Sequence, residues 1–62
     1  MDTALREKHD ELLTQLYNEE ALLKEMLSTE QDQNTIEITQ IKERIKTLEE
    51  ELNKVRVEMY YL

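Results

Sequence analysis

The chain has 62 residues, a formal net charge of −7, one histidine, and no cysteine, glycine or proline. A core built by so short a chain is marginal without disulfides, a metal or a partner, and the missing cysteines and single histidine remove the first two. The acid excess argues against nucleic acid, which needs clustered Lys and Arg, and no apolar run approaches the roughly 20 residues of a bilayer span.

What remains is association with protein. Charged residues make up 37% of the chain, and with the helix breakers absent this is the composition of a long helix or coiled coil. The charge is uneven: residues 1–33 carry nine acids against three bases, and residues 34–62 carry six against five. The N-terminus, MDTALREKHD, has no apolar stretch of the kind a signal peptide needs. With no cysteine, a cytoplasmic location is the expectation. Residues 1–62 read as a single coiled-coil segment, cut from a longer protein.

Residues 2–27 form the first part. Leu5, Leu16, Leu27 and Ile38 stand 11 residues apart, and Leu12, Leu23, Asn34 and Ile45 make a second series with the same step. Eleven residues over three turns describe a nearly straight or slightly right-handed supercoil. Leu13 and Met26 widen the apolar stripe, as suits a bundle or an added partner. Polar residues occupy the places that would complete each core layer: Lys8/His9, Glu19/Glu20 and Glu30/Gln31. This half is expected to be the looser one.

Residues 28–35, STEQDQNT, contain no apolar side chain and several residues that prefer caps and turns. Asn34 followed by Glu37 has the spacing of a capping box. Two architectures follow. In the first the helix runs straight through, because the 11-residue series keeps its phase. In the second the chain turns within 28–35 and returns as an antiparallel hairpin.

Residues 36–62 carry the strongest pattern. Ile38, Ile41, Ile45, Leu48, Leu52, Val55, Met59 and Leu62 follow at intervals of 3, 4, 3, 4, 3, 4 and 3. That is a heptad with Ile38, Ile45, Leu52 and Met59 at a, and the other four at d. A helix with such a seam needs a second helix beside it. In a parallel in-register pair, Glu37 meets Lys42, Arg44 meets Glu49, and Glu51 meets Arg56, all opposite in sign. Ile at a favours two strands, Ile41 and Val55 at d shift the preference toward three or four, and Leu48 and Leu62 at d pull it back toward two. Repeats of this kind resemble the coiled-coil rods of cytoskeletal, trafficking and scaffold proteins, a likeness too broad to mark a family.

The expected fold is therefore all-α: an elongated parallel coiled coil with one long helix per chain, the antiparallel hairpin being the alternative. The expected function is oligomerisation, as a homodimer or trimer that spaces flanking domains. In the hairpin alternative the chain is a binding module for a small GTPase or a partner helix. The interface would comprise Leu5, Leu12, Leu16, Leu23 and Leu27, then Ile38, Ile41, Ile45, Leu48, Leu52, Val55, Met59 and Leu62. Val57, Tyr60 and Tyr61 fall at f, b and c, off the seam, and form a candidate patch for another protein. His9 reads as a partly exposed helix residue, Glu19 and Glu20 as solvated charges, and Asn34 as a cap or a register-setting amide. Nothing argues for catalysis, a cofactor or a metal: there is no phosphate loop, no nucleophile beside a base, and no length to form a cavity.

Overall fold

A computed structural model of the chain describes residues 3–29 and 35–61, and these form two helices. Helix α1 spans Thr3–Thr29 and helix α2 spans Ile36–Tyr60.

Local chemistry marks the last described turn of α1 and the start of α2. At the end of α1 the Ser28 hydroxyl donates to the Glu25 carbonyl at 2.7 Å. Thr29 Oγ1 donates to the carbonyls of Glu25 at 3.1 Å and Met26 at 3.4 Å. Short hydroxyl side chains thus compete with the backbone in the last turn, where helical carbonyls begin to lack intrahelical partners. Helix α2 restarts at a true N-cap. Thr35 has extended backbone (φ −68°, ψ 156°), and its hydroxyl accepts from the Ile38 N–H at 3.2 Å. Glu37 sits in the first turn, where its charge complements the helix dipole. The cap is therefore Thr35 and not Asn34, which lies outside the described residues. Glu37 falls one place short of the reciprocal capping-box position, so its support is electrostatic.

The helices pack side by side and run in opposite directions. Hydrogen bonds cross between them from Arg44 to Glu19 and from Arg56 to His9. The residue numbers of these pairs total 63 and 65, so numbers rise along one helix as they fall along the other. Leu12, Leu16, Leu52 and Val55 form the shared core, with Leu5, Leu13, Ile45, Leu48 and Met59 packed against it. The described residues thus form two antiparallel helices, which fits the helical-hairpin alternative and does not confirm the parallel coiled coil. The long dimension of the pair is 46 Å, half the about 90 Å that 62 residues would span as one helix at ~1.5 Å each. Two features favour this packing: a capped start begins α2 afresh, and α1 carries a stripe of its own for α2 to pack on.

That stripe differs from the 11-residue reading. In α1 the residues that are not exposed are Leu5, His9, Leu12, Leu13, Leu16, Glu19, Leu23, Met26 and Leu27. Seven of them step by 4, 3, 4, 3, 4 and 3: Leu5, His9, Leu12, Leu16, Glu19, Leu23 and Met26. This is the same heptad as in α2, with His9 and Glu19 in two of its slots. In α2 the helical residues that are not exposed are Ile38, Ile41, Ile45, Leu48, Leu52, Val55 and Met59, the heptad read from the sequence. Leu62 lies outside the described residues.

Candidate interaction surfaces

The seam is the place to begin, because its two polar slots carry the specific chemistry. Glu19 stands level with Ile45, near the middle of the hairpin. Its Oε1 accepts from Arg44 Nε at 3.0 Å, while its Oε2 is buried without a hydrogen-bond partner. Arg44 remains half exposed, so the pair contributes only about 0.2–1 kcal/mol. A carboxylate in a core slot also leaves a gap. Ile45 and Leu48, beside it, stay partly exposed, whereas Ile38 (0%) and Leu52 (2%) on either side are fully covered.

His9 occupies the other polar slot. Its Nε2 lies 3.3 Å from Arg56 Nε, and its Nδ1 lies 3.3 Å from Asp10 Oδ1. Guanidinium nitrogens only donate, so Nε2 accepts and the ring proton resides on Nδ1, facing the Asp10 carboxylate. The arginines thus act within the chain. The Arg44–Glu49 and Glu51–Arg56 pairs expected of a parallel dimer give way here to Arg44–Glu19 and Arg56–His9. Glu20, beside Glu19, is exposed.

Two long grooves flank the seam. One is lined by Leu16, Leu23, Ile45 and Leu52, with Glu20, Glu49, Asn53 and Arg56 along its edges. The other is lined by Gln15, Asn18, Glu19, Gln40, Glu43, Arg44, Thr47, Leu48 and Glu51. The first is apolar in its floor, the second largely polar. Both are shallow and open, and neither gathers groups for covalent chemistry. Among the described residues no set of His, Asp and Glu could hold a metal ion, and no helix is long and apolar enough to cross a membrane.

The candidate patch lies on the outside of α2 at the open end. Val57 is 48% exposed, Tyr60 82% and Tyr61 80%. The two tyrosine rings meet edge to face, their centroids 5.3 Å apart and their planes at 86°. Other large apolar side chains are exposed as well: Tyr17, Leu22 and Ile36. They belong to no seam slot, and the heptad gave no reason to single them out.

Of the interface residues read from the sequence, Leu12, Leu16, Leu52 and Val55 are buried together between the two helices of one chain, and Ile38 and Ile41 are buried as well. Leu5, Leu23, Leu27, Ile45, Leu48 and Met59 are partly covered. Sequence reasoning placed Glu19 and His9 at the core edge but did not foresee their arginine partners. Both arginines belong to α2, and only the hairpin brings them level with α1. Neither a protein-family model, nor a curated protein, nor a solved structure matches the chain.

Proposed function

We propose that the chain is a protein-association module: a helical hairpin through which a larger protein dimerises and holds its flanking parts at a set distance. The observation behind this reading is the thinness of the hairpin's core. Six apolar side chains are buried among the described residues, while Leu13, Leu23, Leu27, Ile45 and Leu48 are only partly covered. Two helices alone cannot surround a core, and a second surface laid over these residues would gain roughly 25 cal/mol per Å² of apolar area removed from water. Folding and association would then be coupled, and the melting temperature would rise with concentration.

A second reading keeps the parallel coil. The heptad of α2 is filled with apolar residues from Ile38 to Met59. Arg44 and Arg56, which tie α2 to α1, are the same residues that opposite charges would meet in a parallel pair. Opening the hairpin would free both. Sedimentation equilibrium joined to small-angle X-ray scattering tests the two readings. A dimer of about the hairpin's 46 Å length supports the first. A dimer near the about 90 Å of a continuous helix supports the second. A monomer whose melting midpoint does not move over a hundredfold range of concentration would remove both.

A further inference from the structure

The two faces beside the seam differ in charge as well as polarity. On the apolar face the groove is edged by Glu20, Glu49 and Arg56. Lys42 lies one heptad before Glu49 and joins the same edge, which makes two acids and two bases. On α1, Leu13 and Leu27 lie seven residues either side of Glu20 and extend the leucine floor. On the opposite face Glu19, Glu43 and Glu51 line the groove with Arg44, three acids to one base.

We propose that the charge-balanced, leucine-lined face binds a second copy of this chain, forming a four-helix bundle about a two-fold axis. The proposal rests on the association reading above and assigns it a surface and a partner. Charge supports the choice of face. Each molecule carries a net −7, so two copies repel unless they meet where acids and bases are matched. An isologous contact presents the same patch from both sides, so Lys42 and Arg56 of each copy can face Glu20 and Glu49 of the other. The acidic face would set three carboxylates against three.

Area supports the choice of partner. The chain, of 7.5 kDa, exposes 5074 Å², whereas a compact monomer of that mass exposes about 4,250 Å². The excess of roughly 800 Å² is one partner's share of a standard protein interface. A single hairpin leaves uncovered about the area that one copy of itself would cover, and four helices in antiparallel array are a stable way to enclose it.

The absence of cysteine allows a clean test. Glu20→Cys and Asn53→Cys mark the balanced face, and Gln15→Cys and Thr47→Cys mark the acidic face; all four positions are exposed. Each full-length variant is coupled to a bulky maleimide and followed by sedimentation and far-ultraviolet circular dichroism. Labels at 20 and 53 should weaken dimerisation at least about tenfold, while labels at 15 and 47 leave it nearly unchanged. The unlabelled variants give a second readout that does not depend on tolerating the label. Alkylation at 20 and 53 should slow as protein concentration rises, and alkylation at 15 and 47 should not. Equal behaviour at all four positions, or protection of 15 and 47 alone, overturns this face while leaving the association reading standing. An unlabelled chain that remains monomeric at every concentration overturns both.

Discussion

The two helices share one spacing and fill it differently. In α2 every described slot from Ile38 to Met59 is apolar, and none of its neighbours is buried. In α1 two of seven slots hold His9 and Glu19. Period belongs to positions, not to apolar residues. A polar side chain can keep a seam slot if the facing helix offers it a charged partner, and α2 offers Arg56 and Arg44. The consequence is a core with uneven thickness. Leu12, Leu16, Leu52 and Val55 make the larger part, toward the open end. Ile38 and Ile41 are buried separately toward the turn, and the carboxylate of Glu19 lies between.

The largest effect should come from the well-packed side of that comparison. Leu52→Ala is expected to cost about 2–5 kcal/mol, as a buried leucine truncation does, read as a lower urea midpoint. Ile45→Ala, at the thin centre, should cost clearly less in dilute protein, where the hairpin stands alone, and approach the cost of Leu52→Ala at concentrations where a second copy covers the balanced face. A cost equal to that of Leu52→Ala at every concentration would mean that Ile45 is already covered within the single hairpin.

Glu19→Leu should act in the opposite direction. It removes a carboxylate with one unpaired buried oxygen and joins the two parts of the core, a gain of about 1–3 kcal/mol. No gain in the denaturation midpoint would mean that Glu19 finds a better partner than Arg44 alone. Thr35→Ala removes the cap of α2 and should lose about 1 kcal/mol, with Thr35→Asp close to the parent. Equal stability of all three proteins would place the start of α2 elsewhere. The smallest change should follow Glu43→Ala. That exposed site lies away from the seam, so its melt should shift by less than the equivalent of about 0.5 kcal/mol; a larger shift would give the acidic face an energetic role.

The helices were legible in the sequence wherever apolar residues filled every slot. The seam of α2 needed no structure to find, because seven consecutive described slots are Ile, Leu, Val or Met. In α1 the series Leu5, Leu16 and Leu27 suggests a step of 11, with Lys8/His9 and Glu19/Glu20 as polar places in its core layers; the structure gives His9 and Glu19 full seam slots, and counting them there restores the 3–4 alternation. Direction was harder still. The complementary charges at 37, 42, 44, 49, 51 and 56 describe a parallel pair as well as they describe flanking positions in a hairpin. Arginine reaches whichever acceptor the fold brings level, and that depends on α1 and α2 lying antiparallel. The polar run pointed to the turn, while the continued phase of the repeat pointed against it.

Glu19 has one more consequence, for alignment. A seam of uniform leucines repeats itself every seven residues, so two such helices can slide by a heptad, roughly 10.5 Å at 1.5 Å per residue, and still match. Here a slip one way would press the Glu19 carboxylate against Leu52, and a slip the other way against Ile38, the two best-covered side chains of α2. Both misalignments strand a charge in an apolar setting and take it away from Arg44. The residue that thins the middle of the core therefore works as a notch. It lowers the strength of the joint and leaves it a single position in which to close.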